Sequence, residues 1–195
     1  VYSKSPAYSL PERSPDGIVI GIKRRFHARP GEKAEQKSVY NTKQGLCFAA
    51  DWQSKLGPVL CIEGFSDTAA LHSMGLSAIG RPSAGAGAAQ LAELFAGVDR
   101  QIIIVGDRDE NGAGERGAKA IAKRLSDELN RTVYWAFPPE SANDSRAWLK
   151  KVDPQAHTRN EGDLDALGVR YLNGLDATAV HSDRPTVERF EPHSG

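Results

Sequence analysis

The middle of the chain alternates short apolar runs with amphipathic segments. Four runs have the length and residue types of buried strands, and they occupy residues 59–63, 76–79, 101–106 and 132–137. Helical periodicity marks the segments 66–73, with Ser66 as the expected N-cap, 88–97, 117–130 and 143–150. Strands that alternate with helices through short connections predict an α/β fold with an open, mostly parallel sheet and flanking helices.

The N-terminal part of the chain has a different pattern. Residues 1–16 are rich in Pro and Ser, which predicts a linker or arm. Residues 17–57 predict a small basic α+β subdomain, with strands at 17–23 and 37–42.

Residues 58–150 contain the alternating pattern and are predicted to form the main domain. Within it, the Gly/Ala-rich stretch 80–87 is interpreted as a connector. Residues 151–195 have weak periodicity and three prolines. We therefore expect them to be a tail or a linker to a further domain, with one short helix near 163–167.

Composition narrows the class of protein. Hydrophobic residues make up 39% and charged residues 26% of the chain, which is typical of a folded core. No run approaches the roughly 20 apolar residues that a membrane span needs. The two cysteines are too few for a zinc ribbon and are expected to stay reduced. We therefore predict a cytoplasmic protein with no membrane partner.

The charge is unevenly distributed although its sum is zero. The first 45 residues hold nine Lys or Arg and four Asp or Glu, whereas the rest of the chain is acidic. A local basic patch is what attracts nucleic-acid phosphates, and the other interpretation is a solvated charged surface. The candidate nucleic-acid or nucleotide contacts are Lys23, Arg24, Arg25, Arg29 and Lys37.

Acidic residues follow the predicted strands directly. Glu63 closes the first strand, and Asp107 and Asp109 follow the third. Ligands bind at the carboxyl ends of parallel strands, so these carboxylates converge if the two strands are neighbours. Asp107 and Asp109 point the same way if the extended conformation persists. Asp67 and Asp144 are candidates for the same rim.

Such an acidic cluster repels itself unless a cation lies within it. Mg²⁺ prefers oxygen ligands and is commonly held by one or two carboxylates, waters and a substrate phosphate. Taken singly, a Glu at a strand end is usually solvated, and an Asp-x-Asp is usually turn chemistry. Two such motifs, each directly after a buried strand and about forty residues apart, are a more specific indication of a metal site.

Three stretches resemble the Toprim domain, the metal-binding α/β domain of bacterial-type primases, type IA and type II topoisomerases and some nucleases. They are CIEGFSDTAALHSMGL, QIIIVGDRDENGAGERGAKAIAKRL and VYWAFPPESANDSRAWL, within residues 59–150. The family's motif glutamate falls on Glu63 and its Asp-x-Asp on Asp107 and Asp109. Two further features are most similar to the primases of bacteria, phages and plasmids. Asp67 lies in a Glu-Gly-x-x-Asp motif, and Asp144 precedes a Trp-Leu helix.

The resemblance implies a nucleotidyltransferase core that makes short RNA primers on a single-stranded DNA template from ribonucleoside triphosphates. Glu63, Asp107 and Asp109 would be its catalytic residues and would hold two Mg²⁺ or Mn²⁺ ions, with Asp67 and Asp144 helping directly or through water. The basic subdomain would hold the template, and a replicative helicase or helicase domain would be a partner.

Two alternatives stay open. One is phosphodiester cleavage of the nuclease or topoisomerase type by the same acids. The other is a non-catalytic, nucleic-acid-binding Toprim module of a replication or mobile-element protein.

Overall fold

The computed structural model describes residues 7–27, 35–159 and 164–184, which form two β-sheets. The smaller sheet is antiparallel, in the order β1-β2-β3, with β1 at Ala7–Arg13, β2 at Val19–Phe26 and β3 at Gln36–Ser38. The larger sheet contains β4 (Leu56–Glu63), β5 (Leu76–Arg81), β6 (Ile102–Val105), β7 (Val133–Ala136) and β8 (Thr178–Val180). Its order is β5-β4-β6-β7-β8, and only β8 runs antiparallel to its neighbour. The predicted α/β fold with a mostly parallel sheet is confirmed.

Helices cover both faces of the larger sheet. They are α1 (Phe65–Ser73), α2 (Ala88–Phe95), α3 (Ala113–Leu129), α4 (Ser145–Val152) and α5 (Asp165–Asn173), with 3-10 turns at Trp52–Ser54 and Ala156–Thr158. On β4, Val59 and Cys61 pack towards α2 and α3, whereas Leu60 and Ile62 pack towards α1, α4 and α5. Strands buried on both faces need apolar residues at every position, which explains the continuous apolar runs. Among the described residues, no helix is long and apolar enough to cross a membrane.

The N-terminal arm predicted for residues 1–16 is instead largely a strand. β1 pairs with β2 along its length and buries Leu10 and Glu12. It tolerates Pro11 because it is an edge strand, where a missing N–H breaks no central ladder. Reciprocal backbone hydrogen bonds between Arg13 and Leu46, of 2.7 and 2.8 Å, continue the pairing beyond the small sheet. Residues 1–6 lie outside the described part of the chain.

The tail predicted from residue 151 onwards also contributes to the fold. α5 buries Tyr171 against Trp148 of α4, with ring centroids 5.1 Å apart, and β8 pairs with β7. The expected helix near 163–167 starts at Asp165 and extends to Asn173, and residues 160–163 lie outside the described ranges. α5 buries the side chain of Tyr171, and the three side chains of β8 are exposed or only partly buried, so the hydrophobic periodicity of both elements is weak in the sequence.

Two helix starts differ from the sequence expectation. α1 begins at Phe65 after Gly64, so Ser66 is inside the helix and is not its N-cap. α3 begins at Ala113, four residues before the predicted start at 117. Its first turn is rich in glycine, which disfavours helix locally, but close packing against the end of β6 compensates. The predicted boundary at 57/58 falls inside β4, and the division into two domains stays a prediction.

Candidate active site

The acidic residues predicted to meet do follow neighbouring strands. β4 and β6 are adjacent and parallel, with Cys61 opposite Ile104, so Glu63 and Asp107 both lie at the carboxyl edge of the sheet. This is the edge at which open α/β sheets bind ligands. The topology therefore supports the predicted location of the site.

Asp67 and Asp144 meet at the N-terminus of α4. An Asp67 carboxylate oxygen accepts a hydrogen bond of 2.8 Å from the backbone N–H of Arg146. Asp144 is the N-cap of the helix and accepts a hydrogen bond of 2.5 Å from the backbone N–H of Ala147. Unsatisfied N–H groups and the helix dipole both favour negative charge at this position. The two carboxylates thus join α1 to the start of α4.

The charges of these residues influence one another strongly. Burial and the carboxylates of Asp67, Glu63 and Asp144 together raise the pKa of Asp107 to about 7. Burial also raises the pKa of Asp67 to about 6, with a contribution from Asp144 that the Arg146 N–H opposes. Three other carboxylates therefore lie within electrostatic range of Asp107, where added positive charge would be favourable.

Asp109 takes a different direction from Asp107. β6 ends at Val105, so the extended conformation that would align the two side chains does not reach them. Both Asp109 carboxylate oxygens accept from the N–H of Gly114, at 3.0 and 3.1 Å. Its backbone carbonyl accepts from Gly112 at 3.1 Å. Asp109 thereby fixes the first turn of α3 against the end of β6.

The donor chemistry of the cluster fits a hard divalent cation, because it consists of carboxylates and they repel one another. No group of three Asp, Glu, His or Cys side chains within residues 7–27, 35–159 and 164–184 is arranged as a ready-made metal site. The predicted set Glu63, Asp67, Asp107, Asp109 and Asp144 accordingly stays a prediction as metal ligands.

Two of the predicted basic residues lie on the face of the small sheet that turns towards the rest of the fold. Lys23 forms a 3.4 Å ion pair with Glu12, whose side chain is fully buried. Arg25 donates a hydrogen bond to the Ser66 hydroxyl in the first turn of α1, close to the end of β4. Lys23 is therefore already neutralised, whereas Arg25 places a cation beside the candidate site.

The other basic residues lie elsewhere. Arg24 and Lys37 are opposite each other on β2 and β3, and strand alternation puts them on the face away from Arg25. The Arg24 guanidinium packs over the ring of Phe26, and Lys37 pairs with Glu35 at 2.8 Å. Arg29 lies outside the described residues.

One residue beside the acids is absent from the sequence-based set. Arg81 ends β5, lies opposite Glu63 in the strand register, and is only 2% exposed. The sequence does contain a signal for it, since Arg81 is the one Lys or Arg between Lys55 and Arg100 and it directly follows an apolar run. Its burial could not be inferred, because a charge after such a run normally marks the return to solvent.

Comparison by sequence finds nothing related. No protein-family model matches the chain. No curated protein matches it either.

Comparison by structure finds bacterial primases. The chain is similar to a DnaG primase catalytic domain bound to single-stranded DNA, with a TM-score of 0.60, 19% identity, and coverage of 87% of this chain and 52% of that one. A DNA primase domain from Pseudomonas aeruginosa has a TM-score of 0.60 at 20% identity, with 88% and 52% covered. The Escherichia coli primase catalytic core has a TM-score of 0.56 at 21% identity, with 78% and 50% covered.

The chain thus has the Toprim-containing fold of DnaG-type primase catalytic cores, and it spans about half the length of the primase chains it matches. The resemblance read from the sequence is confirmed at the level of the fold. With identities near 20%, the fold is what these comparisons establish.

Proposed function

We propose that this chain is part of a DNA primase catalytic core, a nucleotidyltransferase that makes short RNA primers on single-stranded DNA from ribonucleoside triphosphates. The observation that carries the proposal is the position of Asp107, half-buried among three other carboxylates at the carboxyl edge of a primase-type sheet. The single-stranded DNA bound by one of the similar primases supports the same template class here.

Each acidic residue has a distinct role in this proposal. Glu63 and Asp107, at adjacent strand ends, would hold Mg²⁺ or Mn²⁺. Asp67 and Asp144 would assist directly or through water while they hold the start of α4, and Asp109 would assist while it holds the start of α3. The metal, when bound, supplies charge neutralisation for the triphosphate and activation of the attacking hydroxyl.

The template path we propose runs along the face of the small sheet that contacts α1. Arg25 lies on that face and can neutralise a phosphate close to the candidate site. Lys23 contributes less because Glu12 already neutralises it. A replicative helicase or a helicase domain is the proposed protein partner, since primers are made where the duplex has been opened.

A primer-synthesis assay tests the proposal. Circular single-stranded DNA is incubated with labelled ribonucleotides and Mg²⁺ or Mn²⁺, with the unchanged chain, Asp107→Asn, and Asp127→Asn as a matched control. Asp127 is on the last turns of α3 and pairs with Lys123, so its loss removes a carboxylate from a different part of the fold. We expect short RNA from the unchanged chain and from Asp127→Asn, and at least a hundredfold less from Asp107→Asn.

The same assay distinguishes the alternatives. Nicked or shortened DNA without RNA would favour metal-dependent phosphodiester cleavage by the same acids. Binding to DNA without either reaction would favour a non-catalytic module. Equal synthesis by the unchanged chain and by Asp107→Asn would contradict the assignment of the site.

A further inference from the structure

Arg81 is a buried cation at the carboxyl edge of the sheet. It is the last residue of β5, and its side chain is only 2% exposed. Its backbone is held against the end of β4, because its carbonyl accepts a 3.0 Å hydrogen bond from the N–H of Gly64. Burial of a guanidinium is costly unless other charges or hydrogen bonds compensate for it.

The side chain of Arg81 crosses the end of the neighbouring strand. One terminal nitrogen donates to the carbonyls of Ala84 and Ser83, at 2.5 and 3.4 Å, in its own loop. The other reaches the carbonyl of Val105 at 3.4 Å, on β6. Since β4 lies between β5 and β6, the side chain of Arg81 reaches from the strand position opposite Glu63 to the end of the strand that leads to Asp107.

The hydrogen bonds to backbone carbonyls do not satisfy the whole guanidinium group of Arg81. The Nε–H of Arg81 is buried and has no hydrogen-bond partner among the described residues. No carboxylate in that part of the chain lies within 4.0 Å to form an ion pair with it. The charges of Glu63 and Asp107 stabilise it at longer range, and it in turn lowers the pKa of Asp107 against the effects that raise it.

Arg81 cannot bind a phosphate directly, because a side chain that is 2% exposed does not reach a ligand in the open cleft. Its positive charge therefore acts through the neighbouring carboxylates. A fixed positive charge in a partly dry environment interacts more strongly with them than a solvated one would.

We propose that Arg81 is a resident counter-ion and positioning residue for the carboxylates of Glu63 and Asp107, supplying part of the positive charge that would otherwise come from bound metal. The effect on metal rests on the proposed function, because it requires that these carboxylates hold a divalent cation. The charge coupling itself does not depend on metal.

A metal-free double-mutant cycle tests the coupling. Melting temperatures are measured in EDTA at about pH 8.5, above the raised pKa of Asp107, for the unchanged chain, Arg81→Gln, Asp107→Asn and the double variant. Gln keeps a hydrogen-bond donor but loses the charge. We expect the drop in melting temperature caused by Arg81→Gln to be at least halved in the Asp107→Asn background, because that background lacks the negative charge of Asp107 that Arg81 would compensate.

Equal drops in the two backgrounds would overturn the proposal. If Arg81→Gln alone does not fold, the double variant decides: folding of the double variant supports the coupling, and its failure to fold overturns it. Arg100→Gln is the matched control. Arg100 also donates to backbone carbonyls, those of Gln53, Lys55 and Gly57, but at the opposite edge of the sheet. The drop in melting temperature caused by Arg100→Gln should be the same with and without Asp107→Asn.

Mn²⁺ titration by electron paramagnetic resonance, also at about pH 8.5, adds the readout on metal. Arg81→Gln should bind Mn²⁺ about tenfold more tightly than the unchanged chain, since a nearby positive charge has been removed. Arg81→Lys, which keeps the charge, and Arg100→Gln should both stay within about threefold. A merely structural role would weaken binding, and weaker or equal binding by Arg81→Gln overturns the proposed effect. Absence of binding by the unchanged chain would contradict the proposed function alone, and the metal-free cycle would then decide the coupling.

Discussion

Asp107 is the residue at which burial and charge act together. Its carboxyl group is partly removed from water, and the carboxylates of Asp67, Glu63 and Asp144 all disfavour its ionised form. With a pKa raised to about 7, protonation of Asp107 would compete near neutral pH with the cation binding proposed for it. The protonation state of one side chain would then link the proposed metal binding to stability.

Stability should therefore depend on pH in a specific direction. Asp107 and Asp67, with pKa values of about 7 and 6, retain protons in the folded chain that an unfolded aspartate releases near 3.8. The folded state binds more protons in this range, so the free energy of unfolding should fall as pH rises from about 5 to about 8.

Urea denaturation in EDTA at several pH values measures this dependence. Asp107→Asn should show a clearly flatter fall than the unchanged chain, because one of the two groups no longer titrates. The same slope in both chains would show that Asp107 is not held protonated by the fold.

The start of α4 shows how a single capping residue positions an element. Asp144 is the N-cap and accepts a hydrogen bond from the backbone N–H of Ala147. Asp67 accepts a hydrogen bond from the backbone N–H of the preceding residue, Arg146. The helix end and the acid cluster therefore share the same carboxylates.

Loss of this cap should destabilise the fold by a measurable amount. Asp144→Ala removes the acceptor and should lower the free energy of unfolding by about 1 kcal/mol in urea denaturation. Asp144→Asn keeps an acceptor oxygen and should retain most of that stability. Equal losses in the two variants would mean that charge, and not the cap, is what Asp144 contributes.

The start of α3 depends on close backbone contact with the end of β6. A Cβ at Gly114 would collide with the backbone nitrogen and carbonyl of Asp107. The N–H of Gly114 also donates to the Asp109 carboxylate, so the contact at Gly114 fixes the loop that carries Asp107 and Asp109.

Gly114→Ala should consequently be destabilising by about 1–3 kcal/mol, the usual cost of overpacking. Gly85→Ala is the control, because a Cβ there would meet nothing within 4 Å and its backbone is not left-handed. Thermal or urea denaturation compares the two, and a Gly114→Ala chain as stable as Gly85→Ala would contradict the close approach.

At the scale of the whole molecule, the chain is neutral while its positive charge is concentrated in the N-terminal part. Arg25 lies on the face of the small sheet that contacts α1, and Arg24 lies on the opposite face. Because binding to single strands releases counterions, each phosphate contact adds to the salt dependence of the affinity.

The two arginines should therefore differ in their effect on binding to single-stranded DNA. In a fluorescence anisotropy titration over a range of salt concentrations, Arg25→Gln should make the slope of log affinity against log salt shallower by about 0.7. Arg24→Gln should change it less. A larger change for Arg24→Gln would place the template on the other face of the small sheet.

Much of the larger sheet is predictable from the chain because each element carries its own pattern. Ile102–Val105 is apolar at all four positions, as a strand buried on both faces requires. β1 and β8 were missed, and only the start of α5 was expected, because each of these elements buries few side chains and gains its stability from partners distant in sequence. The end of β5 was also missed, because Arg81 is a charged residue that the fold buries.

The candidate site divides in the same way. Glu63 and Asp107 could be placed from the sequence, because a parallel sheet brings the carboxyl ends of its strands to one edge. The direction of Asp109 could not, since it depends on the turn that ends β6 and on a hydrogen bond to α3.

The alternation of strands and helices, and hence the edge of the sheet where the acids lie, follows from the amino-acid order alone, because periodicity and strand polarity are local properties. Which charges are neutralised depends on how the folded chain packs. Lys23 is paired with a buried glutamate, and Arg81 is buried beside the acids, whereas Arg25 contacts the start of α1. Burial and charge pairing depend on residues far apart in the chain, and the free energy of a charge is set by that environment.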